Sequence, residues 1–411
     1  TFTALSGGVD SDTDTIVGAD GGTTNWVLSS GANTVNGAGF SDFEVARGGT
    51  GDDNFVLQAN DFTVVSGGGG TNSYTFAGAT GTQIQGGADE DTIISTTNAD
   101  WTVNGAGSGN IDGNNFTGIE HLVGGAGVDE FTLTSGSITS VSGGVGNDVF
   151  DVRGSSTVVS GNLDGGADAD QILGNGDWTL SGVDALAGAS GQVESINFVG
   201  METLTGDGSA LLSGSSITND LDWVLDSTNT VALAGGGSAV SFTGVTSVVG
   251  GSGNDAINAV GGTVTNVTGG GGSDSLERNG DWTLSTITAA AGADGAVNGV
   301  TFAGIETLEG SGTASLTAAV SNDLDWVLAN PDSTVAIAGG GTQAITFRGM
   351  QNLQGGSGAD QFILTGGNFG TINTGAGADT VNLAGSTFTA LSGGVDSDTD
   401  TIVGADGGTT N

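Results

Sequence analysis

Apolar residues in this chain come in short alternating runs, and glycine separates the runs. In the block that starts at Gly124, the apolar positions are Phe131, Leu133, Ile138 and Val141. The alternation in Phe131-Thr132-Leu133 predicts a strand. No long i, i+3, i+4 stripe predicts a helix, and 82 glycines in 411 residues would weaken one anywhere. No apolar run approaches the roughly 20 residues of a bilayer-spanning helix.

The runs keep a register of 19. Blocks begin at Gly48, Gly67, Gly86, Gly105 and Gly124, again at Gly250 and Gly269, and again at Gly355, Thr374 and Gly393. Each block reads as a glycine turn, a short strand, a second turn and a second short strand. One block cannot bury its apolar side alone, whereas stacked blocks bury a continuous core. The expected fold is all-β: a parallel β-solenoid (β-helix or β-roll) with about 19–20 residues per coil.

A longer period encloses the short one. Residues 1–25, TFTALSGGVDSDTDTIVGADGGTTN, return unchanged as residues 387–411, an offset of 386. The reading is a single continuous solenoid over 1–411, one tandem period plus a 25-residue overlap. About 19 coils per period at roughly 4.8 Å each would span roughly 90 Å. Continuity along an axis makes the chain its own expected partner, end to end or in tandem.

Tryptophan marks a third layer. Units begin near 26, 101, 178, 223, 282 and 326, with Trp26, Trp101, Trp178, Trp223, Trp282 and Trp326. A phenylalanine follows each one at a variable distance: Phe40, Phe116, Phe198, Phe242, Phe302 and Phe347. A glycine lies 8 residues beyond every one of these phenylalanines. The variable stretch reads as a loop and the constant one as strand and turn. The tryptophans could form a sugar-binding ladder. Alternation in WTL favours the core for them.

Composition narrows the partners. Four Lys+Arg face 46 Asp+Glu, for a net charge of −42. Such a surface repels nucleic acid and anionic lipid and attracts divalent cations. Cysteine is absent, so no disulfide staples the fold. An apolar fraction of 36% in regular β-forming runs argues against disorder.

The glycine turns carry the candidate chemistry. GGAGVDEFT (124–132), GGVGNDVFD (143–151), GGSGNDAIN (250–258), GGGGSDSLE (269–277) and GGSGADQFI (355–363) fit GGxGxDxUx, with U a large apolar residue. In these turns the chain resembles the RTX-like calcium-binding β-roll proteins. That resemblance implies calcium held by backbone carbonyls and by the aspartate at the sixth position. Carried over residue by residue, the candidate metal ligands are Asp129, Asp148 and Asp170; Asp255 and Asp274; Asp360, Asp379 and Asp398; Asp53 and Asp91, which flank Asn72; and Asp12, which repeats Asp398. Each coil here has one nonapeptide where the family has two, so calcium could line one edge only. The same aspartates could instead cap their turns through Asx-type hydrogen bonds.

The WTL…FxGIExLxGG architecture resembles giant bacterial surface repeat proteins, such as biofilm adhesins and filamentous-haemagglutinin-like proteins. It implies a secreted, cell-surface protein. The expected function is a structural segment of an extracellular bacterial filament, sheath or stalk, stiffened by calcium. The alternative is a calcium-dependent adhesin segment, with the cell surface or glycans as partner, bound through loops such as 181–195. An enzyme is not expected: His121 is the only histidine, and the cations are Arg47, Arg153, Arg278 and Arg348. Glu44, Glu120, Glu202 and Glu306 recur after the phenylalanine turn, which suggests a structural bond.

Overall fold

The computed structural model describes residues 5–58, 62–184, 186–236, 238–288, 291–340 and 344–404. The protein is all-β, with 57% strand and, among the described residues, no helix. It divides into two compact units, Thr1–Trp178 with Leu186–Asp207, and Thr179–Ala185 with Gly208–Asn411.

Within each unit, strands of successive repeats pair parallel. In the first, Asn54–Gln58 pairs with Ser73–Ala77, which pairs with Thr92–Ser95. In the second, Ala256–Asn258 pairs with Ser275–Glu277, and Gln361–Leu364 with Thr380–Leu383. Side chains alternate strictly: in Ser73–Ala77, Tyr74 and Phe76 are buried and their neighbours are half-buried. That is the period-2 alternation the sequence displays.

The sheet is mixed rather than purely parallel, because each tryptophan segment turns back on itself. Asp100–Gly105 pairs antiparallel with Ser108–Ile111, which pairs antiparallel with Asn114–Thr117. The same three-stranded meander recurs at Leu221–Val224, Thr230–Leu233 and Val240–Val249, and at Leu324–Leu328, Ser333–Ile337 and Ile345–Gln354. The stretch read as a variable loop between Trp and Phe is therefore largely strand. Part of 181–195 is one case: Gly188–Val193 pairs antiparallel with Ile196–Met201. Ala185 lies outside the described residues.

The meanders organise the core into columns of stacked side chains. One column reads Trp26, Phe55, Tyr74, Ile93, Leu122, Val141, Leu163, Phe198, each residue in register with the next. A second reads Trp223, Ile257, Leu276, Leu308, Phe347. Each of these columns opens on the tryptophan of one meander and closes on the phenylalanine of a later one. All thirteen side chains are buried.

Burial decides between the two readings of the tryptophans. All six are 0–1% exposed. Trp26, Phe55 and Tyr74 stack with ring centroids 5.6 and 5.1 Å apart. Trp326 packs edge-on to Phe347 at 5.8 Å and stacks on Phe362 at 5.2 Å. Both arrangements suit aromatic quadrupoles.

Candidate functional site

The turn aspartates point inward and form hydrogen-bonded ladders. Ala99 N–H donates to Asp129 Oδ1, Asp129 N–H to Asp148 Oδ1, Asp148 N–H to Asp170 Oδ1, and Asp170 N–H to Glu202 Oε2, each at 2.8 Å. A second ladder runs Thr24, Asp53, Asn72, Asp91, Glu120, with N–H to side-chain oxygen distances of 2.7–2.9 Å. A third runs Leu221, Asp255, Asp274, Glu306 at 2.7–2.8 Å. A fourth runs Leu324, Asp360, Asp379, Asp400 at 2.8–3.1 Å.

Each ladder starts two residues before a tryptophan, at Ala99, Thr24, Leu221 or Leu324. Three of them end on the glutamate that follows a phenylalanine turn. Its longer side chain reaches back to the last aspartate N–H from a differently shaped turn. The recurrence of Glu44, Glu120, Glu202 and Glu306 is thereby explained, since Asp14 N–H also donates to Glu44 Oε2 at 2.8 Å. Their role as ladder ends was signalled by that recurrence, but the bonding partner was not.

Two sequence assignments change. Asp12 and Asp398 are exposed and outside the ladders: their N–H groups donate to Asp10 Oδ1 at 3.0 Å and to Asp396 Oδ1 at 2.9 Å. Asp14 and Asp400 hold the ladder positions instead. In this duplicated turn the aspartate stands seven residues after the first glycine, against five in GGAGVD. A local signal distinguishes them. A ladder aspartate stands two residues before a core residue, as Asp129 before Phe131 and Asp14 before Ile16.

The structure places Asp53, Asp91, Asp129, Asp148, Asp170, Asp255, Asp274, Asp360 and Asp379 as expected in successive turns, each at most 2% exposed. Their glycines are sterically required. A Cβ on Gly143 would lie 2.2 Å from Asp148 Oδ2 and 2.4 Å from the Gly165 carbonyl oxygen. The following glycine takes a left-handed conformation, φ 107° at Gly144. Asp168 adopts φ 86° at one turn where aspartate replaces the glycine at the fourth position.

A second ladder brackets the turns from outside and runs the opposite way. Thr71 N–H donates back to Asp52 Oδ1 at 2.8 Å, Ala169 N–H to Asn147 Oδ1 at 3.0 Å, and Ser273 N–H to Asn254 Oδ1 at 2.8 Å. The residue just before the ladder aspartate thus has its own N–H satisfied.

The inner carboxylates are electrostatically costly. Oδ2 accepts a glycine N–H at Asp53, Asp255 and Asp360, at 2.7, 2.5 and 2.8 Å. At Asp91, Asp129, Asp148, Asp170, Asp274 and Asp379 it is buried without a hydrogen-bond partner. Burial pushes Asp129, Asp170 and Asp274 up to about 7, and Asp91 and Asp360 up to about 6. Neighbouring ladder carboxylates add to the shift, as Asp148 does for Asp129. Burial likewise raises Asp148, Asp255 and Asp379. Trp101 opposes the rise at Asp129, although neither the indole Nε1 nor Asp129 Oδ2 has a partner of normal hydrogen-bond geometry.

Calcium takes six to eight oxygen ligands. Here Oδ1 of each of the nine buried ladder aspartates already accepts a backbone N–H, and their carboxylates are enclosed. Among the described residues, no group of three or more His, Cys, Asp or Glu side chains is arranged to hold a metal ion. The capping alternative accounts for the contacts these carboxylates make.

His121 lies in register with Ser140 of the next repeat. Its Nδ1 is 2.8 Å from Ser140 Oγ, and its Nε2 is 3.2 Å from Glu90 Oε2. The Glu90 side chain is 70% exposed, so this chain of contacts lies in solvent on a strand face.

No protein-family model matches the chain, and no curated protein matches it.

Proposed function

We propose that the chain is a structural segment of an extracellular filament, sheath or stalk, built as a parallel β-solenoid interrupted by antiparallel meanders. The observation that carries this reading is the tryptophan-to-phenylalanine column. The column from Trp26 to Phe198 stacks eight side chains over strands that pair one after another. Such stacking spends the sequence on axial continuity. The aspartate ladders serve the same end, binding each turn to the next through a backbone N–H. Secretion accords with the absence of lysine, the high negative charge and the resemblance to surface repeat proteins.

Negative-stain imaging and fibre diffraction of the native material test this reading. Expected are filaments with a strand spacing of about 4.8 Å along the axis. Compact, separate particles with no axial repeat would overturn it.

A further inference from the structure

The buried ladder aspartates differ in what their second oxygen meets. At Asp53, Asp255 and Asp360 both oxygens accept a backbone N–H: Oδ1 from Thr24, Leu221 or Leu324, and Oδ2 from Gly49, Gly251 or Gly356. Each of these three is the first aspartate of its ladder. At Asp148, Asp170 and Asp274, later in their ladders, Oδ1 accepts an N–H and Oδ2 is buried with no donor. The backbone accounts for the difference at two of them. Gly49, Gly251 and Gly356 lie outside the strands, whereas Gly144 and Gly166 belong to Ser140–Val145 and Leu163–Ala167 and are in register with each other.

Oδ2 shares its space with another acceptor. A Cβ on Gly165 would lie 2.7 Å from Asp170 Oδ2 and 2.0 Å from the Gly200 carbonyl oxygen. On Gly269 it would lie 2.4 Å from Asp274 Oδ2 and 2.2 Å from the Gly304 carbonyl oxygen. Among the described residues, the charged groups around these carboxyls are all acidic. Asp148 faces Asp129, Asp168 and Asp170; Asp170 faces Asp148, Asp168 and Glu202; Asp274 faces Asp220, Asp255 and Glu306. Buried acceptors without a donor, ringed by carboxylates, disfavour a charge on Oδ2.

Asn72 shows what such a place accepts. Its Oδ1 takes the Asp53 N–H, as a ladder aspartate would, and its Nδ2 donates to the Gly70 carbonyl oxygen at 2.9 Å. A Cβ on Gly67 would lie 2.3 Å from that nitrogen, where other turns have Oδ2. One acceptor and one donor, with no charge, fill this ladder position.

We propose that Asp148, Asp170 and Asp274 are neutral carboxylic acids in the folded chain, with the proton on Oδ2 facing a backbone carbonyl oxygen, while Asp53, Asp255 and Asp360 are the ionised members. Ionised Asp255 then lies beside neutral Asp274, and ionised Asp53 beside Asn72. Each acid binds one proton from solvent on folding, because an unfolded aspartate is ionised above about 4. The ladder works as a proton-operated lock. Burial holds Asp170 and Asp274 up at about 7, so their share of stability is complete below about 4 and lost as pH climbs through about 7. Losing these protons puts like charges on successive turns and loosens the turns there.

Refolding from urea at pH 6 tests the proton count, whether or not the chain forms filaments. Wild type is expected to take up about three protons or more per chain, read with a pH indicator in weak buffer. Asp170→Asn and Asp274→Asn each take up about one fewer, while Asp53→Asn leaves the count as in wild type. Infrared spectra of the native chain at pH 6 should show a protonated-carboxyl band that weakens in the first two variants and shrinks in wild type at pH 9. Refolding without proton uptake, or an equal count in Asp170→Asn, Asp274→Asn and wild type, overturns the proposal. A count that falls as far in Asp53→Asn overturns the division into neutral and ionised members. If a variant does not refold, the wild-type count and its infrared band decide.

Discussion

The backbone N–H of Asp129 donates to Asp148 Oδ1 at 2.8 Å, and neither residue is exposed to solvent. An acidic side chain here does what a strand partner does elsewhere: it satisfies a buried N–H at a place where the turn prevents sheet pairing.

That bond predicts a graded mutational response. Asp148→Asn keeps an acceptor at the same place, as Asn72 already does between Asp53 and Asp91. It should cost less than about 1 kcal/mol. Asp148→Ala leaves the Asp129 N–H buried and unpaired, which costs about 1–3 kcal/mol. Urea unfolding midpoints separate the two; equal losses would show that the oxygen does not matter.

Stability should fall as pH rises. The ladder carboxyls have folded pKa values raised above those of the unfolded chain, to about 7 at Asp129, Asp170 and Asp274. A raised carboxyl favours the fold in its protonated form. Its contribution is present in full below the unfolded value near 4 and is lost as pH climbs through about 7. Asp42, Asp151 and Asp281 have lowered values and act the other way, but they are fewer. Melting temperature should therefore be higher at pH 5 than at pH 8. A maximum at alkaline pH would refute the ladder's energetic role.

Calcium discriminates the two uses of these turns. Oxygen atoms committed to backbone N–H groups predict a melting temperature that EDTA does not lower. A clear fall on chelation, restored by calcium chloride and not by sodium chloride of equal ionic strength, would assign the metal to the turns after all.

Glycine substitution tests the close approach of turn to turn. Gly143→Ala would set a Cβ 2.2 Å from Asp148 Oδ2 and 2.4 Å from a backbone oxygen. Backbone must move, and the loss should exceed about 3 kcal/mol. Gly22→Ala meets nothing within 4 Å and should stay within about 0.5 kcal/mol of wild type. Similar melting of the two would disprove the steric account.

Short-range pattern carried much of this fold. The period-2 alternation and 19-residue glycine register placed strands such as Ser73–Ala77, and WTL placed the tryptophans inside, because both depend on which side of a strand a residue faces. Nine of the candidate aspartates lie in ladders for the same reason: a fixed offset from the glycine pair positions them. Asp12 and Asp398 lie outside the ladders because that offset stretches by two residues there, and only the distance to Ile16 and Ile402 identifies Asp14 and Asp400.

The amino-acid sequence by itself determined the repeat, the strands, the buried aromatics and the duplicated ends, all set by local backbone preference and burial. Tertiary structure alone decided what each strand stacks on. Leu122 lies on Ile93, 29 residues back, while Val141 lies on Leu122, 19 back, because a meander intervenes in the first case. It alone turned the aspartates inward onto N–H groups, since the acceptor and its donor belong to different repeats. The columns from tryptophan to phenylalanine follow from that stacking, which joins residues too far apart for any local pattern to relate.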